Sequence, residues 1–141
     1  MPIKVVNLKE MAQQPDARRT TLINGPNFNA FFHIYLEPGQ KDEMHCHNAD
    51  GTFFLIDGEC TMHFPDGGQE VLKPGMAGLI TGGSFYQLHN TGDGPMVLLG
   101  HHARPREAMK TILYETREEL VRPGSDKAKA SPPPRSTSIL V

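Results

Sequence analysis

Residues 38–59 read PGQKDEMHCHNADGTFFLIDGE, and the fold is decided there. His45 and His47 flank Cys46 between two turn glycines, Gly39 and Gly58. On a β-strand successive side chains point to opposite faces, so two histidines one residue apart share a face. Their Cα atoms are then roughly 6.5–7 Å apart, close enough for both imidazoles to meet one metal ion at about 2.1 Å. The apolar run Thr52-Phe53-Phe54-Leu55-Ile56 follows, so the histidine strand leads into another strand.

Strand signals continue on both sides. Asn24-Gly25-Pro26-Asn27 marks a turn before Phe31-Phe32-His33-Ile34-Tyr35-Leu36, which Pro38-Gly39 closes. Cys60-Thr61-Met62-His63-Phe64 alternates apolar and polar, as a half-buried strand should. Pro65-Asp66-Gly67-Gly68 then turns the chain into Glu70-Val71-Leu72. Ala77–Ile80, Phe85–His89 and Met96–Leu99 follow, each after a Pro-Gly, Gly-Gly or Gly-rich turn. About eight short strands between residues 30 and 100 predict an antiparallel all-β sandwich or barrel.

The flanks read differently. Residues 1–29 form an N-terminal arm with a possible edge strand at Ile3-Lys4-Val5-Val6, and 30–104 form the barrel. Over 105–121 the spacing of Met109, Ile112, Leu113 and Leu120 predicts a short helix, although TILYE also reads as an edge strand. Residues 122–141 are a Pro-rich extended tail with no core of its own, ending in the apolar tip Ile139-Leu140-Val141.

At 141 residues the chain suits one domain with one core. A net charge of -2 and the lack of a basic run argue against a nucleic-acid partner. No apolar stretch reaches the length that spans a bilayer, and MPIKVVNLKE lacks the apolar core of a secretory signal. Cys46 should face outward and Cys60 inward, which predicts two free thiols and a cytoplasmic protein.

These residues resemble the cupin family. Its first motif runs Gly, five residues, His-x-His, three or four residues, Glu, six residues, Gly; Gly39, His45, His47 and Gly58 match it. Its second runs Gly, five residues, Pro-x-Gly, two residues, His, three residues, Asn; Gly75, Gly83 and Asn90 match. The resemblance covers roughly residues 30–102 and implies a jelly-roll barrel with an interior pocket, commonly a homodimer. Two of the family's four metal ligands are replaced: Gly51 stands at the Glu position and Tyr86 at the second-motif His position. Thr81 replaces the second motif's Pro, and Asp50, next to Gly51, should point away from the pocket.

His45 and His47 are thus the candidate ligands of a divalent transition metal (Fe, Mn, Ni, Cu or Zn), with a metal-free barrel as the alternative. Without the carboxylate the site is one charge more positive, which favours an anionic organic substrate that completes the coordination. Tyr86 is the candidate catalytic residue, as acid, base or hydrogen-bond donor, and it could equally be a core aromatic. Alternation directs Phe53, Leu55, Met62, Phe64 and Leu88 into the pocket as a substrate-binding wall, joined by Leu36 or Tyr35. His33, His63, His89, His101 and His102 read as surface or rim residues, although His102 could reach the pocket mouth. The expected function is a metal-dependent lyase or isomerase, ahead of a dioxygenase, acting on a small molecule. The alternative is a non-catalytic binding cupin.

Overall fold

The computed structural model describes residues 3–13 and 17–120; the expected tail at 122–141 lies outside the described residues. Asn7 begins the chain's one described α-helix, α1 (Leu8–Gln13), its side-chain oxygen accepting the Glu10 amide at 3.1 Å. Residues 3–7 are irregular and Ile3 and Val5 are exposed, so the strand expected at Ile3–Val6 is absent. The edge strand of this arm is instead β1 (Arg19–Asn24).

β1 opens a five-stranded antiparallel sheet. It continues through β2 (Asn29–Tyr35), β9 (Met96–His102), β4 (Gly51–Asp57) and β7 (Ala77–Ile80). A second layer holds β6 (Gln69–Leu72), β5 (Cys60–His63) and β8 (Gln87–Asn90). It extends to β3 (His45–His47), because His45 and Tyr86 exchange both backbone hydrogen bonds at 2.9 Å. β10 (Thr111–Leu113) and β11 (Glu119–Leu120) complete it. The two layers close the antiparallel barrel that strand spacing predicts, in the jelly-roll form that the family resemblance implies.

Alternation assigns the faces. Phe31, Tyr35, Phe53, Leu55, Cys60, Met62, Leu72, Tyr86, Leu88, Met96 and Leu98 pack between the layers as the core. The outer face of β2 is buried too: Phe32 and Ile34, with Val97 of neighbouring β9, sit under Leu8, Met11 and Ala12 of α1. That double burial explains why β2 reads as an almost unbroken apolar run. Gly58, in the β4–β5 turn, has a φ of 85°, and a Cβ there would run into the carbonyl of Pro95. Only glycine fits at that position, which accounts for the end of the first motif.

The helix expected over 105–121 does not form. Arg106–Ala108 make a single 3₁₀ turn, and β10 pairs with β3 through Thr111↔His47, Ile112↔Cys46 and Leu113↔His45. The edge of β3 offers backbone partners that a free-standing amphipathic helix would leave unmet, and β-branched Thr111 and Ile112 suit a strand. Cys46 and Cys60 are both free thiols, yet Cys46 is buried as well, its outward face notwithstanding.

Candidate functional site

β3 brings His45 and His47 into the barrel, buried to 1% and 4% exposure, with ring centroids 4.8 Å apart. His45 Nδ1 lies 2.6 Å from the carbonyl of Glu43. A carbonyl can only accept, so Nδ1 carries the proton and Nε2 is the lone-pair nitrogen. His47 Nδ1 is 3.0 Å from the hydroxyl of Thr111 on β10, which orients the second ring. Tyr86, opposite His45 across the layer, is buried, its ring 4.6 Å from His45 and 6.1 Å from His47.

A third imidazole joins them. His102, at the end of β9, lies 4.6 Å from His47 ring to ring and stacks on Phe31 at 5.1 Å. Its cross-strand partner is Gly51, and a Cβ built on Gly51 would lie 2.7 Å from His102 Cδ2. The imidazole of His102 therefore fills the room that a side chain at position 51 needs. The rim location expected for His102 is corrected: it is buried at 2% exposure. The signal was legible in alternation, since Met96, Leu98, Gly100 and His102 share one face of β9.

His33 is also corrected from rim to core. It shares the inner face of β2 with Phe31 and Tyr35 and is fully buried. Burial, then the charges of Arg19 and Arg18 and the neighbouring His45 and His102, hold its pKa well below the ordinary histidine value. His63 and His89 form a half-buried pair joined at 3.0 Å, and His101 is half-buried. Asp42 lies under His45, 4.0 Å from Nδ1. Its carboxyl accepts the Tyr35 hydroxyl at 3.0 Å and the Leu88 amide at 2.8 Å, and burial pushes its pKa up to about 8.

Phe53, Leu55, Met62 and Leu88 lie in the core, and Phe64 packs against it half-buried. Phe53 reaches the site, its ring 5.9 Å from Tyr86 and 6.0 Å from His102. None of the five lines the slot beside the histidines, which His47, Ala49, Gly51, Ile80, Tyr86 and His102 enclose. Among the described residues no three His, Cys, Asp or Glu side chains group closely enough to hold an ion. The donor chemistry of His45 and His47 therefore fits an ion held by two imidazoles and completed from outside the chain.

Comparison with known proteins agrees with this architecture. Residues 32–101 match the sequence profile of the cupin domain, and the chain belongs to the cupin family. No curated protein sequence matches it. Among solved structures, a Klebsiella pneumoniae protein with a double-stranded β-helix domain is 19% identical with a TM-score of 0.65, over 77% of this chain and 96% of its own. A cupin-superfamily sugar phosphate isomerase from Silicibacter pomeroyi is 21% identical with a TM-score of 0.57, over 70% and 67%. KdgF from a Halomonas species is 17% identical with a TM-score of 0.55, over 63% and 80%. At these identities the likeness is one of fold. No helix among the described residues is long and apolar enough to cross a membrane.

Proposed function

We propose that this cupin is an enzyme of small-molecule metabolism that binds a divalent transition metal through His45 and His47. Its substrate is a small organic anion, transformed by lyase or isomerase chemistry. The observation that carries the reading is the buried meeting of His45, His47 and Tyr86, with His45 fixed in the tautomer that presents Nε2 as a lone pair. Bound there, a metal would supply Lewis-acid polarisation of a substrate oxygen. The chain's own part is to orient the rings through Glu43 and Thr111, to exclude water through Phe53, and to move a proton at the Tyr86 hydroxyl.

Elemental analysis of the natively expressed protein, followed by calorimetric titration of the stripped protein with iron, manganese, nickel, copper and zinc, tests this reading. It expects a tight one-to-one ion that His45→Ala and His47→Ala abolish. Wild-type protein that takes up none of the five ions would overturn it in favour of the second reading, a metal-free binding module. That second reading has its own support, since Gly51 and Tyr86 stand at two of the family's four ligand positions.

A homodimer belongs to the same proposal. β7 ends the five-stranded sheet, and on it Leu79 is 77% exposed, with neighbouring Met76 and Phe54 also open to solvent. An edge strand with apolar neighbours is a position that a second copy can cover.

A further inference from the structure

The slot beside the histidines is closed, with no opening that a water molecule could occupy, whereas sites for organic ligands run to roughly 300–1,000 Å³. The body of a metabolite therefore cannot be held there. A groove of about 560 Å³ lies next to it at the barrel rim, and Ala49 lines both. The two spaces are also continuous in the chain. Asp50 and Ala103 line the groove and are joined by a backbone hydrogen bond of 2.8 Å, while their neighbours Gly51 and His102 line the slot.

Three side chains give the groove its chemistry. Arg104 is anchored by Nε to the carbonyl of Asn48 at 2.7 Å, and its own carbonyl accepts from Asn29 at 2.9 Å. Fixing Nε leaves the two terminal nitrogens as the fork for a ligand, a geometry that matches carboxylate or phosphate oxygens. Asp50 uses one carboxylate oxygen to accept the Gly82 amide at 2.8 Å, which leaves the other as an acceptor for a ligand donor. Asn27, exposed on the facing loop, can donate and accept. Asn48 also lines the groove, but its side chain is committed to Ala108 and Lys110.

An anion alone would meet Arg104 but be repelled by Asp50, and a neutral polyol would leave the Arg104 fork unmatched. We propose that the groove is the recognition half of the site and binds a small hydroxylated acid. Its anionic end lies on Arg104, its hydroxyls lie on Asp50 and Asn27, and its reacting end lies at Ala49, where the slot must open for it to meet His47, Tyr86 and His102. This inference rests on the slot being the reacting centre, but recognition in the groove needs no metal.

The test is an amide-resolved NMR titration of EDTA-stripped protein with glycerate, glycerol 3-phosphate, glycerol and propionate. At least one of the two hydroxylated acids shifts the amides of Asp50, Gly82, Ala103 and Arg104 saturably. Glycerol and propionate bind at least tenfold more weakly. If glycerol 3-phosphate binds more tightly than glycerate, the anionic end is a phosphate; the reverse makes it a carboxylate. Arg104→Gln weakens the acid at least tenfold. Asp50→Asn keeps the bond to Gly82 through its amide oxygen and erases the preference for glycerate over propionate. Because the titration uses metal-stripped protein, binding in the groove is read without the ion, so failure of the metal reading and failure of this one are told apart. Absence of saturable shifts with both acids, or equal affinity in folded Arg104→Gln or Asp50→Asn protein, overturns the assignment.

Discussion

Gly51 and His102 share one volume across a strand pair, and that substitution of place defines the site at the level of single residues. Gly51→Ala should force the His102 ring aside and cost about 1–3 kcal/mol of stability, as overpacking does. In a His102→Ala background only part of that cost should remain, set by the His101 carbonyl that also lies 2.8 Å from a Cβ at position 51, so a double-mutant cycle by urea unfolding should read the His102 share as non-additivity. Simple additivity would mean that the two do not compete for space. Asp42 offers a second measurement. Its raised pKa means that the folded state keeps a proton the unfolded chain releases from about pH 4 upward. The stability contributed by the protonated carboxyl is therefore complete at low pH and lost as pH rises toward about 8. His33 acts in the opposite sense, its depressed pKa removing stability as pH falls below 6.5. Between pH 6.5 and 8 the Asp42 effect is the one of these two that changes, so the melting temperature of metal-stripped protein should fall across that window. Asp42→Asn should flatten the fall, and a level wild-type profile would contradict this account.

At the level of elements, β10 shows what sequence patterning conceals. Met109, Ile112, Leu113 and Leu120 lie near helical spacing, yet the stretch is drawn to the edge of β3. Periodicity reports which residues want burial; it does not report that an incomplete sheet edge waits nearby. The pairing also has a chemical consequence, because it sets Thr111 beside His47 Nδ1. Thr111→Val should leave the strand in place and lower metal affinity roughly tenfold, as loss of such orienting partners does, measured by competition with a chromophoric chelator. Unchanged affinity would show that His47 is held without Thr111. β2 and β9 carry the opposite lesson. Their inward positions were legible by alternation, but His33 and His102 looked like rim residues because a histidine suits water as well as a polar core.

For the whole molecule, the exposed β7 edge leads to a prediction about assembly. Light scattering at low micromolar concentration should report a dimer, and Leu79→Asp should shift it toward monomer without changing the far-ultraviolet spectrum. A monomeric wild type would remove the edge from consideration. The sequence by itself determined the barrel, the inward placement of His45 and His47, and the turn at Gly58. These follow from the two-residue repeat of a strand and from the one backbone conformation that glycine adopts freely. Tertiary structure alone decided that His102 occupies the place of a side chain at Gly51, that β10 orients His47, and that Asp42 lies under His45. Each of those depends on which strands become neighbours and in what register, and distant parts of the chain fix that together when the sheets close.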